Sequence, residues 1–269
     1  MNAPTLLAPA RRRAGLALLI ALALFAIAGP WLASRAPHVQ DLYGVLRAPD
    51  LAEPLGTDHL GRSMLARLAH ATRLSLALAV ASVLSAAIPG TLLGIAAAWR
   101  GGWTERLLSV LADGAVALPG LLLVLLLAAF APGAMWPLYV GLSLVLWVEY
   151  FRVTRARARL ILASPHVEAA RLLGFGPVHL IRRHLLPELA PMLGTLMSFG
   201  AGSCVLALAA MGFIGLGAQP PAAELGLMMT ELLPYAAEAP WLLAAPIAVL
   251  GTAILALALL AGSRRTEAA

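Results

Sequence analysis

The sequence contains no lysine and a single cysteine, and both facts restrict what the protein can be. A phosphate-binding loop of the Gly-x-x-x-x-Gly-Lys-[Ser/Thr] type needs its lysine, so any ATP that drives this protein must be bound by another polypeptide. One cysteine excludes an internal disulfide framework. Cys204 lies in an apolar run, which predicts a small, buried side chain.

Charged residues are also scarce. They make up 12% of the chain, against about a quarter in a soluble domain. Apolar residues make up 61%, which predicts an integral membrane protein. The formal charge of +6 is carried entirely by arginine. This excess suits cytoplasmic loops beside anionic lipid better than a nucleic-acid surface, because no soluble basic domain is present to hold it. We therefore expect membrane lipid as a partner, and no nucleic acid.

Six apolar segments are candidates to cross a bilayer, which takes about 20 helical residues. They are 14–33, 74–99, 107–130, 135–150, 193–216 and 241–261. The first could be a secretory signal, but its apolar run is too long for one, so an uncleaved anchor is predicted. Pro-Gly pairs inside the second and third segments require neighbouring helices to shelter freed backbone groups. The segments predict an all-α membrane protein, a six-span transmembrane helical bundle.

The arginines lie at alternate ends of these six spans. They precede the first span, follow the second, fourth and sixth (Arg264 and Arg265), and recur in the 164–191 loop. Because basic residues favour the cytoplasmic side, both termini and this loop are predicted to be cytoplasmic in a multi-pass protein of the cell (inner) membrane. The 218–240 loop has three glutamates and no arginine, as expected outside. The 35–73 segment is discordant, because it places five arginines outside.

The 164–191 loop carries the most specific pattern in the chain. A Glu-Ala-Ala triplet (168–170) is followed by Gly174 and, further on, by Leu186-Pro187. The residues before Gly174 favour a helix, and Gly174 can end it in the left-handed conformation. Pro177 suits the first turn of a new helix. The loop is thus predicted to form two short helices with a bend. The alternative is an ordinary basic loop between two spans.

This pattern resembles the EAA loop of ABC importer permeases, the cytoplasmic segment that docks into a groove of the ATPase subunit in that family. His184 stands where the family usually has isoleucine, and a histidine there is similar to the peptide and nickel branch. We call residues 164–191 the coupling segment. The residues that the resemblance assigns to coupling are Glu168, Ala169, Ala170, Gly174, His184, Leu186 and Pro187.

A second segment, 55–63, reads Leu-Gly-Thr-Asp-His-Leu-Gly-Arg-Ser and is followed by Arg67 and Thr72–Leu76. It resembles the entry to the core of dipeptide, oligopeptide and nickel permeases, with Ser63 where that family usually has aspartate. The residues themselves predict a turn, with Asp58 capping a short helix, arginines at the membrane surface, and a local Asp58–Arg62 salt bridge.

A third segment, 213–221 followed by 225–229, resembles the stretch that leaves the fifth span of the same permeases. Leu225 stands where the family usually has tryptophan. Its glycines permit close helix packing, and Pro220-Pro221 is predicted to end the helix. Met228 and Met229 are expected near the outer gate of a substrate path.

Together these resemblances imply a MetI-like ABC importer permease fold. Residues 1–54 would hold the cytoplasmic N-terminus, the first span and an extracytoplasmic loop, and residues 55–265 a permease core with five spans. The implied activity is import of peptides, nickel or a metal chelate. Separate ATPases would drive it, so the chain is not expected to be an enzyme or to hold a cofactor. The implied partners are a second permease in a heterodimer, two ABC ATPases and an extracytoplasmic solute-binding protein.

An ion-coupled secondary transporter is the alternative function. Such carriers need ionisable residues near the middle of the bilayer, and spans one, two, five and six have none at their centres. This favours the permease. His166, His179 and His184 are close in sequence, but no cysteine, aspartate or paired carboxylate accompanies them at ligand spacing, so no metal site is predicted. Glu149 is expected to pair with Arg152, one turn further on.

Overall fold

The computed structural model describes residues 4–33, 35–131 and 133–267, with side chains from Ala10 to Gly262 within those ranges. Arg264 and Arg265, used above for orientation, lie outside the described side chains. The described residues are mainly helical and contain no strand beyond two isolated bridges. The helices are α1 (Pro4–Leu32), α2 (Met64–Arg100), α3 (Gly102–Ala115), α4 (Gly120–Phe130), α5 (Trp136–Leu162), α6 (Pro165–Leu172), α7 (Pro177–Leu180), α8 (Leu186–Phe213), α9 (Leu225–Leu232) and α10 (Pro240–Glu267).

The bundle is built around α2 and α5, which pack along each other. Glycines of α2 allow this close approach. A Cβ on Gly90 would lie 2.6 Å from the Trp147 carbonyl oxygen, and one on Gly94 would lie 2.8 Å from that of Phe151. Helix α8 completes the main core, and α1 packs on α10. Cys204 of α8 is buried in this core, as predicted.

Within the described part of the chain, four helices are long and apolar enough to cross a membrane: Ala10–Leu32, Met64–Arg100, Pro177–Phe213 and Pro240–Gly262. A fifth results if α3 and α4, which are bent by 71°, count as one span. Helix α5 is not among them and carries four arginines in its second half. The all-α membrane fold is thus confirmed, and the predicted six spans are compatible with it.

Several predicted spans differ from the structure in their bounds: the fourth is predicted to end at 150, whereas α5 continues to Leu162. Helix α2 begins ten residues earlier than expected, at Met64, where the Ser63 side chain accepts from the Ala66 N–H at 3.5 Å. Its 37 residues continue past Pro89 without a break, which gives a length of about 55 Å. The predicted span 107–130 is instead two helices separated at 116–119. Pro119 precedes α4 and cannot continue α3, because it lacks an N–H.

Two predicted helix ends were also wrong. The second helix of the coupling segment is not separate: α7 continues through a π-turn (Ile181–Leu185) into α8. Pro187 cannot donate to a preceding carbonyl, and the Leu186 N–H donates to the Ile181 carbonyl instead. At its other end α8 stops at Phe213, before Pro220-Pro221. Gly215, with φ of +80°, lets the chain turn there.

The predicted pair of Glu149 and Arg152 is wrong as well. Arg152 instead binds Asp113 of α3, with 2.6 Å between Nη2 and Oδ1. Arg155 and Arg159 both reach Glu105, near the start of α3. These pairs tie α3 to the second half of α5, so Arg152, Arg155 and Arg159, near the end of the fourth predicted span, serve packing between helices.

Candidate functional site

The end of α6 has the geometry that the coupling pattern predicts. Pro165 occupies its first turn, and Gly174 has φ of +83°. The Gly174 N–H donates to the Arg171 carbonyl at 2.9 Å, and the Phe175 N–H to that of Ala170 at 3.2 Å. Among the described atoms, none lies within 4 Å of the place where a Cβ of Gly174 would be. Glycine is therefore required by the backbone conformation and not by crowding.

The Glu-Ala-Ala triplet is divided between two faces of α6. Ala170 is buried with Val167 in an apolar cluster that includes Ile95 of α2 and Leu189 of α8. Glu168 and Ala169 are exposed on the opposite face. The triplet thus presents one acidic and one small residue outward, while its last alanine fixes the helix to the bundle.

An exposed apolar surface surrounds the α6 terminus, and sequence reasoning did not single it out. Leu172 is 84% exposed, Leu173 77% and Val178 69%, and Phe175 lies beside them. With Glu168 these residues define the coupling surface (Glu168, Leu172, Leu173, Phe175 and Val178). Exposed Arg171, Arg182 and Arg183 lie in the same segment. An apolar patch rimmed by charges is typical of a protein-binding site. The available signal was a pair of leucines directly before Gly174 in an otherwise polar loop.

The remaining predicted coupling residues lie where α7 continues into α8. His184 is half-buried, and its ring centroid lies 5.5 Å from that of His166 and 6.2 Å from that of His179. His166 Nε2 lies 3.2 Å from a Glu188 oxygen. Leu186 and Pro187 are exposed. Across the described residues, no group of three or more His, Cys, Asp or Glu side chains is arranged to hold a metal ion.

The opposite end of α2 carries a buried charge cluster of Asp58, Arg62, Arg67 and Glu231. Asp58 Oδ2 accepts from Arg62 Nε at 2.7 Å and from Arg67 Nη1 at 2.5 Å. Glu231 Oε2 accepts from the same two arginines, at 3.1 Å and 2.5 Å. The side chains of Asp58 and Arg67 are fully buried, and Glu231 is 14% exposed.

This cluster corrects the prediction for segment 55–63. The local Asp58–Arg62 salt bridge exists, and Arg62 and Arg67 are buried among protein groups, whereas Arg73 is exposed. Asp58 does not cap a helix starting at His59. Its Oδ1 accepts from the N–H groups of Leu60 and Arg62, each at 2.9 Å, in a turn that precedes α2. The partner Glu231 lies 164 residues from Arg67 in the chain, and no sequence signal pointed to it.

The cluster sets the ionisation of Asp58. Burial raises the pKa of this carboxyl, but the Arg67 charge and the N–H groups of Arg62 and Leu60 outweigh burial, so the pKa lies below its ordinary value. Because the folded pKa is lowered, Asp58 contributes stability above the unfolded value of about 4. That contribution is lost as the pH falls through the lower folded pKa.

The two methionines predicted near the outer gate differ in exposure. Met228 of α9 is fully buried, in an apolar cluster with Met64 and Leu68 of α2. Met229 is half-buried. In this structure Met228 therefore contributes to packing, and a role of either residue in a substrate path stays a prediction.

Comparison with known protein families shows the family to which the chain belongs. The model for the family "Binding-protein-dependent transport system inner membrane component" matches residues 90–266, more than half of the chain. The chain belongs to this family. The matched segment includes α6, the coupling surface and α9, so the resemblance to ABC importer permeases is confirmed. Asp58, Arg62 and Arg67 precede the matched segment.

Curated relatives of this permease cover most of its length. It is 33% identical over 257 residues to a "Di/tripeptide transport system permease protein DppC" of Pseudomonas aeruginosa (strain UCBPP-PA14), which covers 93% of this chain and 85% of that protein. It is 32% identical over 235 residues to a "Putative peptide transport system permease protein" of Brucella suis biovar 1 (strain 1330), with 87% and 79% covered.

A solved structure supports the architecture of the permease. A chain of the MetNI methionine ABC transporter, in an inward-facing conformation, superposes with a TM-score of 0.54 over 76% of this chain and 94% of its own length. The two chains share 19% sequence identity. The likeness therefore shows the fold alone, and this fold is the MetI-like one predicted from the sequence.

Proposed function

We propose that this permease imports peptides across the cell (inner) membrane as one subunit of an ABC importer driven by separate ATPases. Two relatives of high coverage are named for peptide transport, which supports this substrate class. Nickel or a metal chelate, the other expectation from the sequence, has no counterpart among those names. The observation that carries the proposal is the coupling surface at the end of α6.

The proposed partners are a second permease, two ABC ATPases and an extracytoplasmic solute-binding protein. Both termini and the coupling segment are proposed to be cytoplasmic. The exposed Arg11, Arg12 and Arg13 near the start of α1 and the exposed arginines of the coupling segment support this orientation. The outer face then carries the 35–63 loop and α9, where a binding protein delivers its solute.

The coupling surface is suited to enter a groove on an ATPase. Leu172, Leu173 and Val178 offer apolar area to bury, and Glu168 lies in the first turn of α6, where a carboxylate is favoured and can meet a basic group. Val167 and Ala170 join the inner face of α6 to an apolar cluster that includes Ala158 and Ile161 of α5, Ile95 of α2 and Leu189 of α8. A displacement of α6 by the ATPase is therefore passed to the spans and not absorbed by a flexible loop.

The proposed test compares substitutions in the coupling segment within the complete transporter reconstituted in proteoliposomes. Valine at position 174 is strained at a positive φ, by about 1–2 kcal/mol, whereas asparagine tolerates that conformation. We expect Gly174→Val and Glu168→Lys to insert normally but to lose dipeptide uptake, and Gly174→Asn to retain it. ATPase copurification is measured on the same samples. Normal uptake by Gly174→Val at normal membrane levels would contradict the coupling role.

A further inference from the structure

The charge cluster joins two parts of the chain that are far apart in sequence. Arg62 and Arg67 belong to the turn before α2 and to its first turn, and Glu231 belongs to the last turn of α9. Two arginines and two carboxylates balance in charge, and both arginines bridge both carboxylates. The end of α9 is thus held to the start of α2 by ionic contacts that are almost closed to solvent.

Such a cluster fixes geometry more than it adds stability. Desolvation of buried charges offsets most of their attraction, but removing one partner leaves an uncompensated buried charge. Apolar packing reinforces the same contact, because Met228 and Leu225 of α9 are buried with Met64 and Leu68 of α2. Helices α9 and α2 are therefore expected to move together at this end.

The other end of α2 contacts the coupling segment. The Arg171 guanidinium of α6 lies 5.4 Å from the centre of the Trp99 ring, within the range of a cation–π contact. Ile95, one turn before Trp99, is buried in the same cluster as Val167 and Ala170 of α6. Because α2 is one continuous helix from Met64 to Arg100, it contacts α6 at one end and α9 at the other.

We propose that α2 transmits displacement of α6 to α9, and that the charge cluster is the clamp by which α2 moves α9 as an extracytoplasmic gate helix. This inference rests on the proposed coupling function. Arg67 and Glu231 are positioning residues in this scheme, because they set the place of α9. Asp58, Arg62 and Arg67 lie before residues 90–266, the segment matched by the family model. The clamp therefore connects a part of the chain outside that segment to Glu231 inside it.

The experiment follows the position of α9 in the complete transporter. Cys204 is the only cysteine of this chain, so Cys204→Ala makes the chain cysteine-free, and labelling is read on this chain after the subunits are separated by electrophoresis. Leu233→Cys then adds a reporter directly after α9, at a position that is 50% exposed. Labelling by a membrane-impermeant maleimide is timed with and without ATP and vanadate. The variant with Cys204→Ala and Leu233→Cys is the parent for the further substitutions, and we expect its labelling rate to change when nucleotide is added.

Two substitutions at opposite ends of α2 test the clamp. In Glu231→Gln and in Trp99→Leu, the ratio of labelling rates with and without nucleotide should fall to one, while the ATPases still copurify. Glu238→Gln makes the same chemical change at an exposed position shortly after α9 and should keep the parent ratio. Should Glu231→Gln fail to accumulate in the membrane, Trp99→Leu decides, because it leaves the cluster intact.

The outcomes separate this inference from the proposed function. The clamp is overturned if the Leu233→Cys parent is labelled at the same rate with and without nucleotide. It is also overturned if both Glu231→Gln and Trp99→Leu keep the nucleotide-dependent labelling rate of the parent. Neither result affects the coupling role of α6, because that role is tested separately by the loss of dipeptide uptake in Gly174→Val. A ratio of labelling rates that falls to one in Glu231→Gln and in Trp99→Leu, but keeps the parent value in Glu238→Gln, supports transmission of the α6 displacement through α2.

Discussion

Gly226 is the residue that seats α9 against the bundle. A Cβ at this position would lie 1.9 Å from the Ala209 carbonyl oxygen of α8, which is a backbone atom and cannot rotate away. Its φ is not positive, so the requirement for glycine is purely one of space. The sequence showed a glycine between two leucines, but the helix against which it packs became visible only in the structure.

We therefore predict that Gly226→Ala destabilises the permease. Overpacking of this kind costs about 1–3 kcal/mol, and here α9 must move away from α8. The matched control is Gly251→Ala in α10, because nothing among the described atoms lies within 4 Å of that Cβ position. Thermal unfolding of the purified complex compares the two. Equal melting temperatures would show that α9 is not seated on α8 in this way.

Glu224 is a second residue whose environment leads to a prediction. It is 2% exposed, and its Oε2 accepts from the Leu227 N–H at 2.9 Å as the cap of α9. Its Oε1 has no hydrogen-bond partner among the described residues. Burial raises the pKa of this carboxyl, and the Leu227 N–H opposes that effect only in part. The charged form is therefore disfavoured in the folded protein.

The sign of the pH effect at Glu224 is opposite to that at Asp58. A raised folded pKa means that the folded state loses stability as the pH rises above the unfolded value of about 4.3. Glu224→Gln keeps an oxygen for the cap and removes the ionisation. We expect its melting temperature to equal that of the parent near pH 4 and to exceed it at pH 8. A parallel pH dependence of both proteins would refute this assignment.

At the scale of elements, the contact of α3 with α5 combines a shielded ion pair with an exposed one. Glu105 is 12% exposed and meets Arg155 and Arg159, whereas Asp113 is 69% exposed and meets Arg152. Exposed pairs contribute only about 0–1 kcal/mol, because water and salt screen them. A hydrogen-bonded carboxylate that is shielded from water contributes more.

We predict that Glu105→Gln destabilises the permease by about 1–3 kcal/mol, while Asp113→Asn changes its stability by less than about 0.5 kcal/mol. Both substitutions remove one negative charge from the same short helix, so the two variants have the same net charge. The measurement is the unfolding midpoint of each purified variant. The prediction fails if the two midpoints shift equally.

The elements also show what the sequence could and could not predict. The glycine at 174 and the helix formers before it predicted α6 and its end, because these are local preferences. Hydropathy missed the start of α2 at Met64 and the end of α5 at Leu162, since it reports the apolar stretch and not the helix that continues beyond it. Pro119-Gly120 was visible, but apolar composition carries no information on direction, so the 71° bend was not predicted.

Contacts across the chain were the least predictable part. The predicted coupling residues lie within one segment and were proposed from their spacing. The charge cluster depends on Glu231, which reads in the sequence as an ordinary acidic residue of an outer loop. The apolar coupling surface was missed for a related reason: Leu172 and Leu173 resemble core residues until the fold shows them exposed.

At the scale of the whole molecule, the glycines of α2 pack against another helix of the same chain. Gly90 and Gly94 face α5, so they do not form a surface for a second permease. The exposed side of α2 instead carries Val80, Leu84, Ile88 and Leu92, spaced by four residues along one face. Such a stripe needs lipid or another helix to cover it.

We predict that this permease needs a second, related permease for activity. Proteoliposomes containing this chain and the ATPases alone should show no dipeptide uptake, and addition of the second permease should restore it. Substitution of Ile88 and Leu92 by serine should reduce copurification of the second permease, whereas Leu255→Ser on α10, which is similarly exposed, should not. Uptake from this chain and the ATPases alone would exclude an obligate heterodimer.

The length of α2 has a geometric consequence. A helix of about 55 Å exceeds a hydrocarbon core of about 30 Å, so its two ends lie well outside the apolar layer. If the helix pivots as a rigid rod about its midpoint, a tilt of about 10° sweeps each end through about 5 Å, close to the pitch of one helical turn. The two ends travel in opposite directions. A modest push on the end that contacts α6 thus produces an opposed stroke of equal size at the end that contacts α9, with no need for any helix to unwind.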